Sequence, residues 1–213
     1  LMTDGQTLES LTSRMITKTS KIIKDCEPDL VVVQGDTTST FIGALTAFYM
    51  RIPVAHVEAG LRTDNIYSPF PEEINRRITS SIATMHFAPT EDSKQNLLRE
   101  GHKADSIFVT GNTVIDNLLN ISKKLDNQSK EDELAISERI GARLSNRKII
   151  LVTGHRRENF GDGLENICRA LRIVAERNNV QIIFSVHLNP NVQKQVNNLL
   201  SDIVNIDLVP PID

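Results

Sequence analysis

The stretch DLVVVQGDTTSTFIGALTAFYM, residues 29–50, decides the fold of this chain. A short apolar run leads into Gly35, and a hydroxyl-rich segment then passes into apolar residues at helical spacing. An apolar run of this length that stops at a glycine predicts a strand buried on both faces, and the residues after it predict a helix over 38–50. Strand, tight turn and helix in this order are typical of one unit of a parallel α/β sheet.

The same order recurs on both sides of this stretch. Upstream, a helical pattern ends at Pro28, and downstream an apolar stripe formed by Ile74, Ile78 and Ile82 marks a further helix. The predicted strands of this region lie at 29–34, 53–60, 85–89 and 106–112, and the predicted helices at 38–50, 71–83 and 90–101. Regular alternation of this kind predicts an α/β fold, in which helices cover both faces of a parallel sheet.

A charged stretch interrupts the alternation at 121–147, which we expect to be a helical connector between two domains. Strands are predicted again at 148–154, 180–187 and 204–209, with helices between them. We therefore expect an N-terminal Rossmann-like domain over 1–120 and the start of a second one over 148–213. Because the chain opens inside a helical pattern and closes just after a strand, the first domain is expected to lack its first strand and the second to be truncated.

Composition narrows the classes of protein to which the chain can belong. Of its 213 residues, 39% are hydrophobic and 24% are charged, which is an ordinary globular balance. The net charge of −3 offers no electrostatic reason to expect a nucleic acid as the partner. No run approaches 18 apolar residues, so we expect a cytoplasmic protein that does not insert into a membrane.

Two carboxylates mark the ends of the first two predicted strands, where ligands bind in such sheets. Asp36 directly follows the first strand, although an aspartate there is also typical of a helix cap. Alternation along the second strand places Glu58 on the same side as His56. A buried carboxylate needs a partner, a ligand or a raised pKa, and Arg62 is a candidate partner. For His56 by itself, a structural role is the more common one.

The segment YSPFPEEINRR, residues 67–77, opens a helix with two glutamates in its first turn. Two surface ion pairs, Glu72 with Arg76 and Glu73 with Arg77, account for all the charges. Each such pair contributes only about 0.3–0.5 kcal/mol. The proline-rich aromatic lead-in is not explained by these pairs and indicates a shaped loop.

Basic residues follow the first strand of the second unit. The segment TGHRRENFGDG, residues 153–163, carries His155 and Arg156 ahead of a helix, where a diphosphate would be attracted. The glycine spacing fits neither a Walker A loop nor a dinucleotide fingerprint, and a solvated basic turn is the alternative. His187 ends a later strand, and a ligand role and a structural role are equally supported for it. Carboxylates on one wall of a cleft and cations on the other suit a substrate that becomes cationic at one atom and loses a diphosphate.

Six segments together resemble the motifs of the non-hydrolysing UDP-N-acetylglucosamine 2-epimerases, in that family's order. They are QGDTTST (34–40), HVEAGLRT (56–63), YSPFPEEINR (67–76), GNTVIDNLL (111–119), TGHRRENFG (153–161) and VHLNPNV (186–192). The resemblance implies two Rossmann-like domains of glycosyltransferase-B type and the interconversion of UDP-N-acetylglucosamine and UDP-N-acetylmannosamine. It implies no nicotinamide and no metal cofactor, and a product that feeds polysaccharide biosynthesis.

The resemblance also assigns roles to particular positions. The family's catalytic residues fall on Asp36, Glu58, Glu72 and His155. Substrate or UDP contacts fall on Arg76, His155 and Arg156, and contacts to a second UDP-N-acetylglucosamine that acts as an allosteric activator fall on Glu72, Arg156 and His187. We expect a homodimer. The family's N-terminal GTRPE-like loop and C-terminal DSGG-like segment are not found in this sequence, so these residues alone are expected to be inactive.

Three alternative functions stay open on sequence grounds. A hydrolysing 2-epimerase would release N-acetylmannosamine and UDP. A glycosyltransferase of the same fold would transfer the sugar, and a nucleotide-sugar-binding module would perform no chemistry.

Overall fold

The computed structural model describes residues 6–125, 135, 137–138, 140–141, 146–154, 162–177 and 179–211. The chain divides into two units, Leu1–Ser122 and Lys123–Asp213. Most of the predicted connector at 121–147 lies outside the described residues.

The first unit is a four-stranded parallel sheet with the strand order β1-β2-β3-β4. Its elements are α1 (Leu8–Cys26), β1 (Val31–Gln34), α2 (Thr38–Tyr49), β2 (Val54–Val57), α3 (Glu72–Ile82), β3 (Met85–Ala88), α4 (Glu91–Arg99), a short 3-10 turn (Ala104–Ser106), β4 (Ile107–Val109) and α5 (Thr113–Leu125). Because all four strands are parallel, their carboxyl ends lie at one edge of the sheet, where the turns that carry Asp36 and Glu58 begin.

Three strand predictions need correction. The prediction that β1 is buried on both faces is wrong, because Val33 is buried whereas the side chain of Val32 on the other face is 61% exposed. The predicted strands 53–60 and 106–112 are too long, because β2 ends at Val57 and β4 ends at Val109. Glu58 adopts a φ of 67°, a left-handed conformation that ends the extended backbone and the alternation on which the shared side with His56 depended.

Helix α3 packs against α2 and the edge of the sheet with its polar side. Its buried residues are Glu73, Asn75, Arg76, Thr79 and Ser80. Ile74 and Ile78, at 36% and 37% exposure, lie on the solvent side, while Ile82 packs against the apolar core of β1 and β2. The apolar stripe therefore located the helix correctly but does not mark its buried face.

The second unit is a three-stranded parallel sheet with the order β5-β6-β7. Its elements are β5 (Lys148–Gly154), α6 (Asp162–Arg177), β6 (Val180–Val186), α7 (Pro190–Leu200) and β7 (Ile206–Val209). The central strand β6 is almost wholly buried, and Phe184 and Ile182 pack with Leu200 of α7 in the core. The three predicted strands of this region are confirmed.

Among the described residues, no helix has both the length and the apolar composition that a membrane span requires.

Candidate active site

The turns after β1 and β2 are joined at the carboxyl edge of the first sheet. The backbone N–H of Gly35 donates to the carbonyl oxygen of Val57 over 3.0 Å. Gly35 has a φ of 76°, and a β carbon built there would lie 3.7 Å from Oε2 of Glu58. The carboxylate of Glu58 thus lies against Gly35, the residue before Asp36. The structure brings these two predicted site residues to one place.

Asp36 is held by helix α3. An Nη of Arg76 donates to Oδ2 of Asp36, and the side-chain amide of Asn75 donates to the Asp36 carbonyl oxygen over 3.0 Å. The cap of α2 is Thr37, whose hydroxyl accepts the N–H of Thr40, so the helix-cap interpretation of Asp36 is wrong. With 28% of its side chain exposed, Asp36 is oriented by the protein and still reachable by a ligand.

The surface ion pairs predicted for α3 are wrong in their burial and partly in their partners. Glu73 is fully buried, and its Oε1 accepts from Nε of Arg77 over 2.9 Å. Arg76 is also buried and pairs with Asp36 and Glu73, with 3.5 Å between its second Nη and Oε2 of Glu73. The predicted contact of Arg76 with UDP stays a prediction.

Glu72 begins α3 and is half-buried. The loop that leads to it is shaped as the sequence indicated, since the Thr63 hydroxyl donates to the Ser68 carbonyl over 2.5 Å and the Tyr67 N–H donates to Oδ1 of Asn65 over 3.0 Å. Within the described part of the chain, no hydrogen bond or ion pair joins Glu72 to Asp36 or Glu58.

Arg62 is not the partner of Glu58. Its guanidinium forms two hydrogen bonds with the carboxylate of Glu100, at 2.7 and 2.6 Å, and a third with the hydroxyl of Ser80. The hydrogen bond from Arg62 lowers the pKa of Glu100 below its usual value. This pair ties the segment after β2 to the end of α4, and it leaves the carboxylate of Glu58 for another partner or ligand.

His56 is a buried residue of β2 whose side chain reaches the turn after β1. Its Nε2 lies 2.8 Å from the carbonyl oxygen of Gly35, and because a carbonyl oxygen only accepts, Nε2 carries the proton. Burial lowers the pKa of His56 to about 4, with smaller contributions in the same direction from His86 and Arg62. His56 is therefore neutral near pH 7, and its N–H anchors the backbone that presents Asp36.

The buried neutral state of His56 makes stability depend on pH. The pKa of His56 is about 4 in the folded state, against 6.5 for a histidine in solvent, so the unfolded chain binds more protons between these values. The contribution is fully present above pH 6.5 and is lost as the pH falls to 4. We expect this to lower the free energy of unfolding by about 3 kcal/mol, measured by urea unfolding at several pH values.

His56→Gln is the matched variant, because the glutamine amide can donate to Gly35 without titrating. We expect its urea midpoint to vary less between pH 6.5 and pH 4 than that of the wild type, whereas equal variation would contradict the assignment.

Only part of the site predicted in the second unit lies within the described residues. His155 and Arg156 lie outside the described residues. His187 follows β6 and is exposed, and its Nδ1 accepts the N–H of Asn189 over 3.1 Å. A neutral imidazole whose Nδ1 accepts carries its proton on Nε2, so His187 presents a donor to solvent.

Sequence reasoning missed Glu73 and Asn75. Asn75 donates to the carbonyl oxygen of Asp36 and Glu73 pairs with Arg76, whereas sequence spacing predicts only a surface pair for Glu73 and no role for Asn75. The available signal was the row of polar residues on α3 that includes Thr79 and Ser80, because small hydroxyl residues are compatible with a helix face that packs closely on its neighbours.

Within the described ranges, no group of three or more His, Cys, Asp or Glu side chains is arranged to hold a metal ion. The described site instead offers two partly accessible carboxylates, one of them fixed by a charge-assisted hydrogen bond from an arginine. Carboxylates placed in this way can accept or donate a proton at a bound substrate, or stabilise a positive charge that develops on it.

Comparison with known proteins gives a consistent result. The family model for UDP-N-acetylglucosamine 2-epimerase matches residues 1–213. The UDP-N-acetylglucosamine 2-epimerase of Salmonella typhimurium is 52% identical over 215 residues, and a protein of Ralstonia solanacearum described as a probable UDP-N-acetylglucosamine 2-epimerase is 50% identical over 214 residues. Each match covers 100% of this chain and 57% of the relative, so the chain spans little more than half the length of these relatives.

A solved structure agrees with this result. The crystal structure of UDP-GlcNAc 2-epimerase from Neisseria meningitidis bound to UDP-GlcNAc is 45% identical and superimposes with a TM-score of 0.90, covering 99% of this chain and 57% of the other. The predicted α/β fold, with Rossmann-like domains of glycosyltransferase-B type, is confirmed. The chain belongs to the UDP-N-acetylglucosamine 2-epimerase family.

Proposed function

We propose that the whole protein containing this chain interconverts UDP-N-acetylglucosamine and UDP-N-acetylmannosamine by elimination and re-addition of UDP. The observation that carries the proposal is the pair of carboxylates at the carboxyl edge of the first sheet, with Glu58 against Gly35 and Asp36 held by Arg76. The Neisseria relative, solved with UDP-GlcNAc bound, supports the nucleotide sugar as the substrate.

The chemistry explains why carboxylates are needed. The proton on C2 of the sugar is not acidic, because C2 does not neighbour a carbonyl group. As the bond from C1 to the UDP oxygen breaks, C1 becomes cationic and the C2 proton becomes acidic. A carboxylate takes that proton, UDP leaves with the bonding electrons, and 2-acetamidoglucal remains. A proton delivered to the opposite face of C2 and the return of UDP to C1 complete the inversion.

The residues divide between the two halves of this reaction. Asp36, Glu58 and Glu72 act near C1 and C2, where they stabilise the cation and transfer the proton. His155 and Arg156 stabilise the negative charge that develops on the departing diphosphate. Arg76 contributes a further positive charge on the substrate side.

We also assign a regulatory role to a second UDP-N-acetylglucosamine. Glu72, Arg156 and His187 contact it in this proposal, and the exposed Nε2–H of His187 supplies a donor suited to a phosphate or sugar oxygen. Activation requires the second molecule to bind the active conformation more tightly than the inactive one. The homodimer and the inactivity of these 213 residues by themselves stay predictions.

Incubation of the whole protein with UDP-N-acetylglucosamine in deuterated water tests the proposal. We expect deuterium at C2 of the sugar, since the proton removed there exchanges with solvent before re-addition. The phosphorus spectrum should show the diphosphate signals of an intact UDP-sugar.

Two other outcomes would contradict the proposal. Deuterated free N-acetylmannosamine together with released UDP would identify a hydrolysing 2-epimerase. Absence of deuterium from C2 would indicate a glycosyltransferase or a binding module.

A further inference from the structure

Glu73 is a fully buried carboxylate that the proposed reaction does not use. It has 0% exposure, although ionised side chains are almost never fully buried unless they are paired. Its Oε1 accepts from Arg77 over 2.9 Å, and its Oε2 accepts the backbone N–H of Thr63 over 3.2 Å and lies 3.5 Å from an Nη of Arg76. Because it is out of solvent, Glu73 is not placed to contact a substrate directly.

Arg76 bridges Glu73 to the candidate catalytic residue Asp36. One Nη faces Oε2 of Glu73 and the other donates to Oδ2 of Asp36. The Nε of Arg76 is buried and has no hydrogen-bond partner among the described residues. The two carboxylates are thus the charged groups that set the orientation of this guanidinium. Glu73 is the buried one, and Asp36 lies at the accessible edge of the sheet.

We infer that Glu73 is a positioning residue, which fixes Arg76 so that Arg76 holds the carboxylate of Asp36 in its reactive orientation. This inference rests on the proposed function. A guanidinium that is hydrogen-bonded to Asp36 and ion-paired with Glu73 is held in one orientation, whereas one paired with Asp36 alone can swing together with Asp36. Reactive groups that are misplaced by about 1 Å can lose about 10²-fold in rate.

Glu73 has a second anchor that ties the same carboxylate to the loop before α3. Its bond to the N–H of Thr63 holds the start of the segment that leads to Glu72. The bond to Arg77 offsets the second positive charge of the helix and leaves Oε2 for Arg76. The carboxylate therefore has a defined partner at each oxygen, as a residue that orients others requires.

The test is Glu73→Gln in the whole protein, assayed with UDP-N-acetylglucosamine. The amide keeps the size of the side chain but places a donor where one of the present donors binds. We expect kcat to fall by about 10-fold or more while KM changes by less than about 3-fold. Glu100→Gln is the control, because it breaks the Arg62 pair of the same unit without touching Arg76 or Asp36, and its kcat should stay within about 3-fold.

A double-mutant cycle separates positioning from a general structural role. If Glu73 acts through Asp36, Glu73→Gln should lower kcat by less than about 3-fold when Asp36 is already asparagine. The inference would be overturned if kcat fell equally in both backgrounds, or if kcat of the single variant were unchanged. Turnover by the wild type would in either case still support the proposed function. A wild type without turnover would overturn both.

Arg76→Lys keeps the inference testable if Glu73→Gln does not fold. Lysine retains the charge but, as a single ammonium group, does not reproduce the two-ended guanidinium bridge. We expect the same loss of kcat, and a wild-type kcat in a folded Arg76→Lys protein would overturn the inference.

Discussion

The substitutions Asp36→Asn, Glu58→Gln and Glu72→Gln are each expected to lower kcat of the whole protein by about 10²-fold or more, with much smaller changes in KM. Each amide keeps the shape of the side chain and removes its ability to take a proton or to stabilise a cation. These roles matter in the state in which UDP is leaving, and an interaction made mainly in that state affects kcat more than substrate binding. Steady-state rates with UDP-N-acetylglucosamine provide the measurement.

Asp92→Asn is the matched control, since Asp92 is an exposed carboxylate of the same unit in the first turn of α4. Its kcat should be that of the wild type. If all three site variants kept kcat within a few-fold of the wild type, the assignment of the carboxylates would be wrong.

The largest expected effect on stability comes from Gly60→Ala, in the turn that follows Glu58. Gly60 has a φ of 89°, and a β carbon there would lie 2.2 Å from the carbonyl oxygen of Ser93 and 2.8 Å from its carbonyl carbon. The contact is with the backbone of α4, so no side chain can rotate away to relieve it. Strain from the left-handed backbone adds to that of the clash, and we expect the free energy of unfolding to fall by at least about 3 kcal/mol.

Gly101→Ala separates the two sources of strain. Gly101 has a similar φ of 88°, but a β carbon there would meet no atom within 4 Å. Only the left-handed backbone is then penalised, by about 1–2 kcal/mol. Urea unfolding of both variants measures the difference, and equal losses would show that the close approach of Gly60 to α4 does not limit packing at this turn.

Local patterns alone were enough to predict the order of strands and helices. Strand and helix preferences depend mainly on residues close together in the sequence. Two examples are the run LVVV ahead of Gly35 and the apolar stripe at Ile74, Ile78 and Ile82. The positions of Asp36 and Glu58 at strand ends followed from the same patterns, because parallel strands place their carboxyl ends at one edge.

Only the tertiary structure decided which side chains meet and which are buried. Arg76 pairs with Asp36, 40 positions away, and with Glu73, rather than with Glu72. The partner of Arg62 is Glu100 rather than Glu58. Helical spacing shows that charged residues four apart can pair. It carries no information about a competing carboxylate at the end of a strand that is distant in sequence. The left-handed backbone of Glu58 likewise belongs to the packed turn.

The burial of Glu73 shows the difference most clearly. Sequence spacing alone describes it as half of a surface pair, and the structure places it at 0% exposure between two arginines. A helix buries whichever face its neighbours cover, and hydrogen bonds and opposite charges offset the cost of burying a polar face when partners from other elements are present. The sequence by itself determined the elements and the chemical groups at their ends. The packing of α3 against α2 and the sheet decided how Arg76 and Glu73 are paired, because Asp36 and Thr63, which complete their contacts, come from segments of the chain outside α3.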